Sequence, residues 1–404
     1  MKHKFALYYF PIFLLWTASS ASLFAQQRSE VPVGDASGII TIDIAGALES
    51  KEVVDMTDYF SSIEYVPLGE GQLWIPEATT CNIFYADKEN YYLTFGSRKN
   101  RGCFKFTKDG KYVTSFIDKG TWTHEFYSVD DIAACKENGN IALCDDNKVV
   151  IFTSDGKWVT TLFVYHLLGE SGCVKDIHFT GADKVRFLWY QESTGRVSAI
   201  SMDLKGNVLH REFLVQGNEK RFPYSQISEF GGELKYFSQQ CDTVYAVDEN
   251  FRILGAKYFL DFGEYKKGKV LSGYKYKNIR LLVNRDIMES DNFIILEILF
   301  PAYSNEGIEQ HRIIDKILYD KRNQKSLLLR YYNSLNLKAE GFNNNLDGGA
   351  PFLPSHMIGN RMYQFIDAAK FIDLAGKCRS EKMKVVASGL KPTSNPVMVV
   401  AKLK

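Results

Sequence analysis

The chain has 404 residues, 45% of them hydrophobic, enough to bury a substantial core in one large domain or in several smaller ones. Its 49 basic side chains meet 48 acidic ones for a formal charge of +1. It therefore lacks the broad positive field that a phosphate backbone rewards, which argues against nucleic acid as a partner.

In chain order, residues 1–25 have a basic start, an apolar run from Phe5 to Trp16 and small residues ending at Ala25. This is the build of a secretory signal peptide cleaved after Ala25. Pro11 and the polar TASSAS segment cut the apolar run below the roughly 20 residues of a spanning helix, so no transmembrane segment is expected after cleavage. The product is expected in the periplasm or secreted. Residues 26–62 read as an N-terminal segment able to contribute a closing strand, and 63–404 as the main domain.

Seven Cys is an odd count, so at least one thiol is free or pairs with another molecule. Cys135 and Cys144 flank the ENGN turn as diagonal neighbours, typically ~7 Å or more apart, too far for an easy bridge. Buried free cysteines are the expectation, and no Cys/His set has zinc spacing.

From Cys81 the chain becomes repetitive. CFKFTKDGKYVTSF (103–116) and VVIFTSDGKWVTTL (149–162) match when Gly110 is set on Gly156, and Gly206 in AISMDLKGNVLHREF takes the same place one unit later. The period, roughly 40–50 residues, is that of one four-stranded propeller blade. Each Asp-Gly reads as a two-residue hairpin loop, where Gly supplies positive φ without a Cβ clash. A first blade runs from Cys81. The second holds DIAACKENG, NIALCDD, KVVIFTSDG and KWVTTL, and the third starts near Cys173. A looser fourth has Asp248 to Asn250 in place of Asp-Gly, and a fifth holds NFIILEILF, IIDKILYD, KRNQ and KSLLLRYY. The sixth starts at Gly348, with MYQFIDA and NPVMVVAKLK around a helix at Ile366 to Lys377.

Small sheets with two apolar faces cannot bury them alone, so blades pack face to face and close into a ring. The ring needs a clasp, and either IITIDI (39–44) or IEYVPL (63–68) is able to pair with NPVMVVAKLK. The Lys/Tyr-rich stretch 264–286 interrupts the period and reads as a solvated insertion carrying a helix.

The recurrent F-x-x-D-G-K, DTVYAVDEN followed by LDFG, IEYVPL, LDGGAPFLP at Leu346 to Pro354 and the closing NPVMVVAKLK resemble, in order and spacing, the six-bladed β-propeller proteins exported by Bacteroidota, a group related to NHL-repeat propellers. The resemblance covers most of the chain after the leader. It implies an all-β fold of six four-stranded antiparallel blades. Where that family has a Gly-Pro-Gly-Glu-Tyr-like turn, this chain has GTWTHEFYSVDDI (120–132), so Trp122 and His124 replace small residues.

The innermost strand of each blade lines the channel, so residues in one register converge on the axis. A polar residue precedes an apolar one at Asn82, Asp131, Asp176 and Glu229. Asp131, Asp176 and Glu229 would then offer hard oxygen ligands for Ca²⁺ or Mg²⁺, the one cofactor candidate. The alternative is that these side chains satisfy strand-end amides or channel water. HExxH, GxSxG, P-loop and dinucleotide motifs do not occur.

Trp122, His124, Tyr127, Trp189 and His356 are the ligand-binding candidates, aromatic surfaces with polar rims that suit a glycan, a peptide or a partner protein. For Trp122 and Trp189 the competing role is blade packing. The functional expectation is a non-catalytic binding module. Its rival, implied by the NHL-like resemblance, is a metal-assisted lyase or lactonase in which the three carboxylates hold a cation.

Overall fold

The repeated Asp-Gly phrase folds as a hairpin with a loop one residue longer than the sequence suggests. In the computed structural model the Thr107 N–H donates to the Lys111 carbonyl at 2.9 Å and the Gly110 N–H to the Thr107 carbonyl at 3.0 Å, closing a three-residue loop. Gly110 stands at φ +86°, the left-handed position that ends such a loop. Thr153 to Lys157 and Asp203 to Asn207 repeat this bonding, with Gly156 and Gly206 also at positive φ. In the fourth copy the left-handed residue is Phe251, at φ +62°, and its side chain is buried. Just past each loop the outer strand skips one partner, leaving Val113, Val159, Leu209 and Leu254 on bulges.

The structure describes residues 38–404 apart from 70–72, 76, 97–101, 116–128, 192, 217–224, 239–240, 268, 272–273, 277–279, 282–286, 304–308 and 333–337. The architecture is the expected six-bladed β-propeller. Blade one runs from its inner strand Asn82–Ala86 to its outer strand Tyr112–Ser115, blade two from Asp131–Ala134 to Trp158–Phe163, and blade three from Cys173–Gly181 to Val208–Gln216. Blade four runs from Ser225–Phe230 to Ile253–Asp261. Blade five is built on Met288–Glu289, Phe293–Tyr303, Glu309–Asp320 and Lys325–Leu328. Blade six has His356–Ile358, Arg361–Ile366, Val397–Leu403 and, outermost, Phe60–Pro67.

Six apolar clusters account for the ring, one at each seam between neighbouring blades. Tyr92, Leu143 and Val150 fill the seam of blades one and two, Val149, Trp189 and Ile200 that of two and three, and Leu188, Tyr236 and Phe251 that of three and four. Tyr258, Ile294 and Ile317 fill the seam of four and five, Phe293, Leu318 and Val397 that of five and six, and Leu93, Tyr363 and Val400 that of six and one.

The clasp is IEYVPL. Ile63 lies opposite Ala401 and Val66 opposite Met398 in an antiparallel ladder, so the N-terminal segment completes blade six. IITIDI goes elsewhere: Ile40–Asp43 pairs in parallel with the outer strand of blade four, making that sheet five-stranded. A short helix, Ile44–Glu49, follows it and buries Ile44 and Ala47 at the seam of blades four and five. The LDGGAP segment holds the clasp from the side. Asp347 accepts hydrogen bonds from the Tyr65 hydroxyl at 3.1 Å, Asn344 Nδ2 at 2.8 Å and the Ser380 hydroxyl at 2.5 Å. A Cβ on Gly349 would stand 2.2 Å from the Tyr65 oxygen, so only glycine lets the two segments meet.

Three expectations need correction. The described parts of 264–286 are a 3-10 turn, Gly263–Lys267, and the short strands Lys269–Leu271, Tyr274–Tyr276 and Arg280–Leu281, the last two pairing with Phe293–Tyr303, in place of an α-helix. KRNQ is the turn between two strands of blade five, whose inner strand is Met288–Glu289. The blade-six connection carries two helices, Ala368–Lys377 and Glu381–Ser388. All seven Cys are free thiols, and Cys81, Cys103, Cys135, Cys144 and Cys173 are buried.

The hairpins also lean on their neighbours, and this gives a test. The Gly69 N–H bonds to the Gly110 carbonyl at 2.7 Å, and a Cβ on Gly110 would stand 2.0 Å from the Pro67 carbonyl oxygen. Gly231 also has positive φ, but nothing lies within 4 Å of its would-be Cβ. Gly231→Ala should therefore cost about 1–2 kcal/mol of backbone strain. Gly110→Ala should add about 1–3 kcal/mol of overpacking, visible as a clearly larger drop in the denaturant midpoint.

Candidate functional site

Two tiers of side chains stitch the channel side of the ring. In the first, Asn82, Asp131 and Gln226 share one register near the start of their inner strands, opposite Thr94, Cys144 and Phe237. Asp176 occupies the same place on a bulge, at φ +52°. The Ile177 N–H of blade three donates to Asp131 Oδ2 of blade two at 2.7 Å, and the Ile227 N–H of blade four donates to Asp176 Oδ2 at 2.5 Å. Each carboxylate thus satisfies a backbone donor on the next blade's inner strand.

Glu229 does not belong to that register, which Gln226 fills instead. It sits three residues further along, opposite Leu234, and Glu289 occupies the matching place opposite Ile294. These two form the second tier. Arg186 Nη2 on blade three lies 3.8 Å from Glu229 Oε2 on blade four, and Lys235 Nζ on blade four lies 3.2 Å from Glu289 Oε2 on blade five. Glu289 Oε1 accepts from the Tyr258 hydroxyl at 2.6 Å and from Lys321 Nζ at 2.7 Å. Burial first, and then the bond to that carboxylate, drive the Tyr258 hydroxyl well above its ordinary pKa. Asp131, Asp176 and Glu229 are therefore not one ligand set, and among the described residues no group of three His, Cys, Asp or Glu stands ready to hold a metal ion.

Asp131 is the chemically unusual member. Burial first, and then the charge of Asp176, push its carboxyl up to about 7. His178 Nε2 stands 3.1 Å from Asp176 Oδ1 and offers a partial counter-charge.

The aromatic candidates separate. Trp189 is 0% exposed in the seam of blades two and three, so it packs the core and presents no face to a ligand, which corrects its reading as a binding residue. His356 lies on the inner strand of blade six, its Nδ1 2.8 Å from the Ser355 hydroxyl and its ring edge-on to Phe365. Trp122, His124 and Tyr127 lie outside the described residues.

The structure draws attention to the outer rim instead. Eleven of the fifteen exposed large hydrophobic side chains among the described residues fall on the outer strands of blades two to four or on the helix Val164–Leu168 beside them. Each of these strands starts with an exposed apolar pair just past its hairpin: Trp158 and Val159, Val208 and Leu209, Ile253 and Leu254. Between blades two and three a cavity of about 320 Å³ opens, lined by Thr160, Leu162, Phe163, His166, Leu167 and Leu204 among others. Patches of this kind mark interaction surfaces. The signal was in the sequence, as the apolar pair after each repeated turn.

A profile of the family described as "Domain of unknown function (DUF4934)" matches residues 39–402. The chain belongs to that family. Among solved structures it is similar to a "Putative exported protein" of Bacteroides fragilis NCTC 9343, with a TM-score of 0.60 and 14% identity over 91% of this chain and 99% of that one. It is also similar to a catalytically inactive virginiamycin B lyase from Staphylococcus aureus solved with quinupristin, with a TM-score of 0.40 and 12% identity over 84% of this chain and 99% of that one. No curated protein matches the sequence. Among the described residues no helix is long and apolar enough to cross a membrane.

Proposed function

We propose that this chain is an exported, non-catalytic binding propeller that holds a peptide, glycan or partner protein on the outer rim of blades two to four. The observation that carries the reading is the gathering of exposed apolar side chains on that rim, where the seams between blades make no use of them. The chemistry of the channel side supports it from the other direction. Asp131 and Asp176 each give an oxygen to a neighbouring blade's backbone, and Glu229 faces Arg186, so the carboxylates serve as struts between blades. Residues 1–25 supply the export signal in this reading.

The test is a melting-temperature panel of oligosaccharides, extended peptides and divalent ions. A ligand at 100-fold its Kd should stabilise the protein by about 2.7 kcal/mol. The stabilisation should fall away in a Phe213→Ser, Leu254→Ser double variant, whose side chains are exposed and whose fold should persist. Stabilisation by Ca²⁺ or Mg²⁺ alone, lost in Asp131→Asn, would instead favour the metal-assisted reading.

A further inference from the structure

The repeated turns differ in where they keep their charges. In blades one and two the acid precedes the glycine, the lysine follows it, and the two pair across the loop. Lys111 Nζ lies 2.9 Å from Asp109 Oδ2, and Lys157 Nζ lies 3.0 Å from Asp155 Oδ2. Blade three rewrites the phrase as Asp203, Leu204, Lys205, Gly206, Asn207. The acid has moved to the first position, where it accepts from the Asn207 N–H and from Asn207 Nδ2, both at 2.8 Å. Lys205 stands in the acid's former place, exposed and in no ion pair among the described residues. Leu204 packs against the seam of blades two and three. This altered turn is part of the lining of the 320 Å³ cavity, and the strand Trp158–Phe163 and the helix Val164–Leu168 supply the rest. Turn and helix are in close contact, since a Cβ on Gly206 would stand 3.3 Å from Leu167 Cδ2. The apolar lining is Leu162, Phe163, Leu167 and Leu204, the basic groups are Lys205 and His166, and no acid lines the space.

We propose that this cavity captures the free C-terminus of a peptide, its last, apolar side chain lying on Leu162, Leu167 and Leu204 and its carboxylate meeting Lys205 and His166. Thr160 adds a hydroxyl to the same lining. One lysine balances the single charge of a carboxylate, whereas a phosphate group brings about −1.5 to −2 and is met by arginine clusters. At about 320 Å³ the cavity lies at the lower end of the roughly 300–1,000 Å³ typical of ligand pockets, room for one terminal residue and too little for a long acyl chain. Apolar surface leads away from it in two directions. Val208 and Leu209 follow the altered turn directly, and Trp158 and Val159 begin the strand whose later residues line the cavity. An extended chain ending in the cavity covers one of these exposed pairs, and a small free acid covers neither. Capture of a chain end by fixed donors is a recurring mode of peptide recognition.

The proposal rests on reading the rim as an interaction surface, and names the ligand class of its part between blades two and three. Calorimetric titration of the whole protein should show binding of an N-acetylated tetrapeptide ending in leucine, and at least about tenfold weaker binding of the same peptide as its C-terminal amide. Lys205→Ala, a change at an exposed side chain, should bring the acid down to the affinity of the amide. Leu167→Ser, at a position 43% exposed, should weaken both peptides alike. Circular dichroism melts check that both variants fold. Equal affinity for acid and amide, or an unchanged affinity for the acid in folded Lys205→Ala, overturns the carboxylate site. Hexanoate binding as tightly as the peptide overturns the peptide as occupant. Suppose that neither peptide binds, while an oligosaccharide stabilises the chain and loses that effect in the Phe213→Ser, Leu254→Ser variant: this site then falls alone and the binding reading stands.

Discussion

Phe60→Ala is expected to lower the stability of the ring by about 3–5 kcal/mol, read as a fall in the denaturant midpoint without a change in slope. Phe60 is fully buried and begins the clasp strand, opposite Leu403. Its ring meets Phe342 at 5.1 Å and Phe352 at 5.5 Å, both edge-on, in the cluster that also holds Phe293 and Leu318 of blade five and Val397 and Val399 of blade six. Truncation leaves a cavity where the clasp, the LDGGAP region and two blades meet, and a close-packed core of aromatic rings collapses poorly into such a space. Val53→Ala, at an exposed position in the same N-terminal segment, should stay within about 0.5 kcal/mol. A Phe60→Ala loss below about 1 kcal/mol would mean that the clasp contributes little to holding the ring.

Asp131→Asn should stabilise the protein at neutral and alkaline pH and remove a slope from its stability profile. The carboxyl is pushed up to about 7 by burial and by Asp176, against an ordinary value of 3.8. The folded chain therefore keeps a proton that the unfolded chain has already released. Stability from this group is fully present below the unfolded value and is lost as pH rises through the folded one, the reverse of the usual carboxylate. Asparagine copies the protonated acid in shape and still offers an oxygen to the Ile177 N–H. The two proteins should have similar stability near pH 4, and the variant should become measurably the more stable of the two as pH rises to 8. Asp176 and His178 are the charged groups that bear on it, while Asp130, the residue before it, pairs with Lys175 at 3.3 Å. Parallel profiles for the two proteins would show that Asp131 titrates normally and that its burial is matched by favourable charge.

The ring was legible in the sequence because its turns demand something rare. Gly110, Gly156 and Gly206 recur at one spacing since each must hold positive φ where its hairpin closes. Phe251 hides the fourth copy of that signal, because a buried aromatic offsets the backbone strain with core packing and no glycine marks the place. The register of Asp131 and Asp176 was also legible, because each precedes an isoleucine that enters a seam. Blade four offers two such pairs, Gln226 before Ile227 and Glu229 before Phe230, and only the ladder to Tyr236 and Leu234 tells them apart. IITIDI and IEYVPL are equally strand-like, and their partners lie far away in sequence, so composition alone leaves the clasp open. Trp189 shows the same limit, since a buried and a displayed indole read alike until the seams are built.

Ile63 pairs with Ala401, so a strand that leaves the ribosome early must wait for one that leaves it late. Until then blade six lacks a wall, and blades one and five each face solvent on one side. A chain interrupted anywhere before Val397 stays open and greasy, an immediate target for proteases. Quality control is thereby written into the shape itself: a truncated polypeptide has nothing to lock against.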